Sequence, residues 1–419
     1  MKTETTVGLS STPAKMGLLG SLYFSQGLPF GFFVQALPVM LRKQGFSLGE
    51  IGLASLLAAP WALKFVWAPV VDRYSISRIG RRKSWIVPLQ IASVVILAAL
   101  ASFAPTSSMA VLMPAVLLLS LLAATQDIAT DGLAVDMLAP HERGFANGLQ
   151  VAGYRVGMIV GGGLLLILHD RLGSAGTFLA MSALTAIATL PIIMARESRR
   201  AEPQEHRSSV KNVHFLRRPG AARLLLLIGS YKAGDAFATG MLRPFLADAG
   251  LSLEQIGWLL GTVGFVAGLL GALCGGVLVE RLGRKTAVVA FGLLQAAAVA
   301  GYAYLAMGRF SQTALYALCA AEHFAGGMAT AALFTCMMDW CSREASATDY
   351  TVQASAVVVA TGVASAVAGF SAQALGYPGH FCLATVLALG AVAAVRRCFP
   401  TPEAALALRG ATKEVASCA

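Results

Sequence analysis

Asp127 and Asp131 stand one helical turn apart inside the apolar run Leu121-Leu122-Ala123-Ala124-Thr125-Gln126-Asp127-Ile128-Ala129-Thr130-Asp131-Gly132. A carboxylate at the centre of a membrane helix costs about 2.5–3.5 kcal/mol on insertion scales, so it requires a polar interior and a partner, and it marks a pathway. The chemistry open to such a group is proton or ion transfer, driven by surroundings that alternate between dry and wet.

Other charges lie inside apolar runs. Counting about 1.5 Å per residue puts Lys64 and Asp127 at one depth, roughly 25 Å from the outer surface. They are expected to pair, because either alone is an uncompensated charge in low dielectric; a static pair that only fixes register is the competing reading. Arg155, Lys232, Asp235, Glu322 and His323 fall near the bilayer midplane, and Lys232 and Asp235 can bond each other at i and i+3. The proton-coupling candidates are Glu322, Asp235 and His323, in that order, with Asp127 beside them. Helix packing is the alternative for each. Arg155 and Lys232 suit carboxylate or phenolate groups of a solute, with Tyr154, Tyr231, Gln26 and Phe33 as further contacts. Taken singly, an aromatic in a membrane helix more often packs against lipid or a neighbour.

The elements that must position these residues follow from composition. Of 419 residues 57% are hydrophobic and 13% charged, and the mean hydropathy is +0.69. That leaves too little polar surface for a soluble fold. Continuous runs of roughly 20 residues favour a helical bundle over a β-barrel. The +11 net charge sits in short loops, where it sets orientation, and nucleic acid is not an expected partner. Seven scattered cysteines without a CxxC pair or a Cys/His cluster read as small core residues. No Walker-type glycine loop is present, and no cofactor or metal is expected. The polar start before a long apolar run predicts no cleaved signal peptide.

Apolar runs at 16–41, 48–70, 86–104, 109–137, 144–168, 174–194, 221–247, 254–278, 287–307, 312–339, 347–375 and 379–396 predict twelve spans. Basic residues follow the even-numbered spans, among them Arg73, Arg78, Arg81, Arg82 and Lys83, so both termini are expected in the cytoplasm. Residues 195–220 form the long polar interruption. It divides a half at 1–194 from a half at 221–396, with a cytoplasmic tail at 397–419. Ser47-Leu48-Gly49-Glu50-Ile51-Gly52 recurs as Ser252-Leu253-Glu254-Gln255-Ile256-Gly257. Likewise Asp72-Arg73 with Gly80-Arg81-Arg82-Lys83 recurs as Glu280-Arg281 with Gly283-Arg284-Lys285. Parallel repeats of this kind occur in transporters built from two six-helix halves.

That acidic-Arg, Gly-Arg loop, repeated between the eighth and ninth spans, resembles the signature loop of the major facilitator superfamily. The resemblance implies an all-α membrane protein with twelve transmembrane helices in two six-helix pseudo-repeats. Tyr23-Phe24-Ser25-Gln26-Gly27-Leu28-Pro29, the run from Ala59 to Pro69, and Ala124 to Gly132 resemble the group of muropeptide permeases, acetyl-coenzyme A transporters and certain siderophore permeases. The compact length and the Gln26-Gly27-Leu28-Pro29-Phe30-Gly31-Phe32-Phe33 opening look most like the rhizobactin and pyochelin type of siderophore permease.

The resemblance implies alternating access with the first, fourth, seventh and tenth helices lining the cavity. It also implies gating by the signature loop, with Asp72, Arg73, Arg81, Glu280, Arg281 and Arg284 as candidates; a solvated loop that only fixes topology is the competing reading. Lys64, Asp127 and Asp131 are ion-pair candidates by their depth. Asp131 and Asp136 are expected within reach of the Arg73–Lys83 loop. The expected function is proton-coupled import of a pyochelin-like ferric siderophore by a bacterial inner-membrane permease. The alternative is import of an anhydro-muropeptide or transport of a coenzyme A ester. The expected partners are an iron-siderophore complex and the lipid bilayer, the protein a monomer and not an enzyme.

Overall fold

A computed structural model describes residues 11–33, 37, 59–76, 79–103, 109–195, 215–308 and 311–409. Among them every regular element is helical. Long apolar runs leave little choice, since a helix satisfies its backbone hydrogen bonds internally where water is absent. Residues 48–58 of the second predicted span, most of the 195–220 linker and the end of the tail lie outside the described residues, as do Arg78 and the first copy of the Ser-Leu-Gly-Glu repeat.

The helices are α1 (Thr12–Gly31), α2 (Ala59–Leu63), α3 (Ala68–Arg73), α4 (Lys83–Phe103), α5 (Met109–Met137), α6 (Arg143–Ile159) and α7 (Leu165–Met194). They continue as α8 (Ala221–Gly240), α9 (Leu242–Asp248), α10 (Leu253–Trp258), α11 (Gly264–Leu282), α12 (Arg284–Ala306), α13 (Gln312–Asp339), α14 (Ser346–Cys398) and α15 (Pro402–Leu408). Seven helices among the described residues are long and apolar enough to cross a membrane. One of these, the 53-residue α14, breaks at Gly376, where φ is 67°. That left-handed conformation suits glycine and separates the predicted spans 347–375 and 379–396.

Two interruptions place chemistry. Between α2 and α3 the chain tightens into a 3-10 turn, Lys64–Val66, with Pro69 in the first turn of α3. Lys64 therefore projects from a break in its helix, where backbone carbonyls are released from α-helical bonding. Between α6 and α7 the residues Val160–Leu164 form a π turn. Just before that turn α1 lies so close to α6 that a Cβ on Gly27 would meet the Tyr154 carbonyl oxygen and one on Gly157 that of Phe24.

Contacts divide the chain into two units. Unit 1 comprises Met1–Leu138, Gly153–Val213 and Arg343–Thr351; unit 2 comprises Ala139–Ala152, His214–Ser342 and Val352–Ala419. Each has its own apolar core. Leu28, Phe32, Leu97, Val116, Leu165 and Phe178 meet in unit 1, and Phe237, Leu246, Tyr302, Leu315 and Phe381 in unit 2. Each also takes one short helical start from the other half of the sequence, Arg343–Thr351 in unit 1 and Ala139–Ala152 in unit 2.

Candidate functional site

In unit 1 the break at Lys64 faces the Asp127-Asp131 turn of α5. The Lys64 ammonium donates to Asp127 and lies 4.0 Å from Asp131, so one ammonium serves two carboxylates. Tyr23 of α1 donates its hydroxyl to Asp131 at 2.9 Å. All four side chains are buried, Asp131 being 2% exposed. The shell around them is polar. Trp67 Nε1 donates to Thr125 at 3.1 Å, and Ser25 accepts from Gln90 at 2.7 Å and Gln126 at 3.2 Å. Gln26 is fully buried, and neither its Nε2 nor its Oε1 has a hydrogen-bond partner among the described residues.

Nearer the end of α5 a second set closes around the signature loop. Arg82, with no exposed surface, donates to Asp72 at 2.7 Å, Asp136 at 3.1 Å and Ser346 at 2.7 Å. Burial disfavours its charge, but Asp136 and Asp72 more than offset this and raise its pKa above the ordinary arginine value. Asp72 also accepts from Arg81 at 3.1 Å, and from the Thr348 backbone N–H at 2.7 Å and hydroxyl at 2.6 Å. The sequence reading put Asp131 and Asp136 together against this loop. The structure separates them: Asp136 bonds Arg82, while Asp131, more than a turn earlier, is held by Tyr23 beside Lys64.

Unit 2 repeats the loop set with different residues. Arg284 donates to Glu280 at 2.7 Å, Asp339 at 2.8 Å and the Pro140 carbonyl at 2.7 Å. Arg143 joins Asp339 at 2.7 Å, and Glu280 accepts the Gly144 backbone N–H at 3.0 Å. Arg73 and Arg281 stand apart from both sets. Each is exposed, and Arg73 lies over the Tyr74 ring at 5.6 Å.

The midplane candidates of unit 2 form two groups. Lys232 donates to Asp235 at 2.7 Å and Thr330 at 3.2 Å. His323 Nδ1 lies 2.8 Å from buried Glu322 but makes its hydrogen bond with the Cys319 carbonyl at 3.0 Å, so Glu322 Oε2 keeps no hydrogen bond among the described residues. His323 and Arg243 help line a cavity of about 330 Å³. Tyr231 donates to the Val288 carbonyl at 2.8 Å, which ties its hydroxyl to a neighbouring helix. Phe33 packs on Phe32 at 6.0 Å, and Arg155 is half-buried on α6 in unit 1.

Sequence reasoning passed over Trp61, Asp339, Arg143, Arg243, Ser346 and Thr348. Polar residues beside a helix start, as Ser346 and Thr348 are, give the one signal that could have found part of this set.

The chain is similar to known proteins over most of its length. The family described as Acetyl-coenzyme A transporter 1 matches residues 15–172, and the Major Facilitator Superfamily matches residues 224–417. The anhydromuropeptide permease of Escherichia coli is 32% identical over 398 residues, 93% of this chain and 80% of that protein. An uncharacterized protein of Haemophilus influenzae is 30% identical over 392 residues, 90% of this chain and 92% of its own length. Among solved structures, a Major Facilitator Superfamily transporter, FucP, in the outward conformation shares the fold. Its TM-score is 0.70 at 14% identity, covering 91% of this chain and 98% of that one.

Proposed function

Since this chain belongs to the family of the anhydromuropeptide permease, within the major facilitator superfamily, we propose that it imports an anhydromuropeptide by proton-coupled alternating access. It is a multi-pass membrane transporter and not an enzyme. The relatives favour this solute over the pyochelin-like ferric siderophore that the opening motif suggested. Twelve spans, cytoplasmic termini, halves at 1–194 and 221–396 joined by 195–220, a bacterial inner-membrane location and a monomeric state belong to the same reading. The loop-borne basic residues and the internal repeat support it.

The observation that carries the coupling is the charge count around Lys64. One ammonium lies within 4.0 Å of both Asp127 and Asp131. A proton on one carboxylate leaves a balanced set that tolerates a dry environment. Its loss leaves excess negative charge, which favours the state that admits water. Asp131, which stands 4.0 Å from the ammonium that bonds Asp127 directly, is the carrier we assign, with Asp127 as the ion-pair partner. Glu322, Asp235 and His323 remain a second set of proton candidates in unit 2. Arg155, Lys232, Tyr154, Tyr231, Gln26 and Phe33 remain solute-contact candidates. The sets around Asp72, Arg81 and Arg82 and around Glu280 and Arg284 hold gating ion pairs, with Arg73 and Arg281 outside them.

The test is uptake of labelled anhydromuropeptide and of labelled ferric siderophore by proteoliposomes carrying an imposed pH gradient. Accumulation of the first that collapses with a protonophore and fails in Asp131→Asn is expected. Accumulation of the siderophore alone overturns the solute, and gradient-independent uptake overturns the coupling.

A further inference from the structure

Three aromatic side chains from three helices of unit 1 converge beside Lys64. Trp61 of α2 and Phe30 of α1 have ring centroids 5.4 Å apart. Tyr154 of α6 lies 5.7 Å from Phe30 and 6.2 Å from Trp61. The Trp61–Phe30 and Trp61–Tyr154 pairs meet at 70° and 73°, so the rings form a corner and not a stack. All three are half-buried.

Two observations bear on what this corner could bind. A buried Trp or Tyr normally places its polar handle on a partner. Trp67, Trp85, Tyr23 and Tyr231 do so, bonding Thr125, the Tyr74 carbonyl, Asp131 and the Val288 carbonyl, while the hydroxyl of the core residue Tyr302 has no partner among the described residues. Trp61 Nε1 and the Tyr154 hydroxyl have no hydrogen-bond partner among the described residues. Gln26, one turn before Phe30 on the same face of α1, is fully buried with both amide atoms unpartnered among the described residues. The second observation is that Lys64 Nζ lies 5.6 Å from the Trp61 ring centroid. A buried charge is placed toward a polar compartment and away from lipid, so the corner shares that orientation.

We propose that Phe30, Trp61 and Tyr154 form a platform for a neutral pyranose ring of the solute, with Trp61 Nε1 and the Tyr154 hydroxyl available to its hydroxyl and acetamido groups. This rests on the reading of the solute as a muropeptide, which joins amino sugar to peptide. The axial C–H face of a pyranose is apolar and carries slight positive charge, which complements the negative face of an aromatic ring. A cationic solute is disfavoured because the ammonium of Lys64 already occupies the cation position at Trp61. A flat aromatic solute would use the rings but leave the Trp61 and Tyr154 polar groups unanswered, and polar groups left unpaired weaken binding.

The platform is tested with the intact protein in lipid nanodiscs, using the peptide-free disaccharide N-acetylglucosaminyl-anhydro-N-acetylmuramic acid as probe and calorimetric titration as readout. Trp61→Leu keeps apolar bulk and removes the ring, and it is expected to weaken disaccharide binding about tenfold. Trp61→Phe retains a ring face and is expected to lose less. Unfolding midpoints and uptake of whole labelled anhydromuropeptide are measured on the same samples. Wild-type uptake of the anhydromuropeptide with disaccharide affinity unchanged in folded Trp61→Leu overturns the platform and leaves the functional reading standing. Absence of wild-type uptake overturns the reading and the platform with it. Weakened binding of a phenolic siderophore, with disaccharide binding unchanged, transfers the rings to an aromatic solute and overturns the proposal.

Discussion

The carboxylate of Asp72 accepts the backbone N–H of Thr348 at 2.7 Å, tying the end of α3 to the first turn of α14 across 276 residues of sequence. Glu280, at the matching place in the second repeat, accepts the Gly144 N–H in the first turn of α6 at 3.0 Å. A negative charge at a helix start is favoured by the helix dipole and by the free N–H groups there. In each case the same carboxylate also bonds an arginine of the signature loop. Loop, helix start and carboxylate therefore form one unit, and separating them must break charge-assisted hydrogen bonds.

Graded losses are expected at this joint. Asp72→Asn should cost about 1.5–3 kcal/mol of stability, since it weakens bonds to Arg81, Arg82 and Thr348 together. Thr348→Val removes only the hydroxyl bond and should cost about 1 kcal/mol. Denaturant unfolding of the purified proteins measures both, and equal losses would refute the idea that the charge is the larger contributor.

Lys64→Ala should be worse than the double replacement. Removing the ammonium leaves Asp127 buried and unpaired by its lysine, a loss of about 3–5 kcal/mol, whereas Lys64→Ala with Asp127→Asn removes that pair, leaves Asp131 on its Tyr23 hydrogen bond, and should recover much of it. Transport should fail in both. A double-mutant cycle on unfolding free energy, with uptake beside it, separates stability from function.

Asp131→Asn should retain solute exchange across an equilibrated membrane but lose accumulation driven by a pH gradient. In the wild type, accumulation should rise as the outer pH falls below the inner pH, because protons then enter with the solute. In the variant that dependence should flatten. Counterflow and gradient-driven uptake in proteoliposomes give the two readouts, and a variant with intact pH dependence would remove Asp131 from the coupling step.

Gly157→Val should be strongly destabilising, by about 1–3 kcal/mol or more, because its Cβ would meet the Phe24 carbonyl oxygen, a backbone atom that cannot turn aside. Gly163→Ala has nothing within 4 Å of its Cβ and should be neutral or slightly stabilising. Unfolding midpoints of the two variants check the contrast.

That the chain is helical and built for lipid was legible from its residues alone, because runs of about 20 apolar residues admit few other structures there. The sequence also placed Lys64 opposite Asp127, since depth along a helix is set by a fixed rise per residue, and it paired Lys232 with Asp235, which share one helix face. Tertiary structure decided what depth cannot express. Asp131 turns to Tyr23 and Lys64 while Asp136 takes Arg82, because direction around a helix and the packing of α1 on α5 choose the neighbour. Trp61 became visible only when Phe30 and Tyr154, distant in sequence, were brought against it. The partners of Asp72 and Glu280 at helix starts far along the chain were likewise hidden, because backbone N–H groups have no residue signature and only the fold decides which carboxylate they meet.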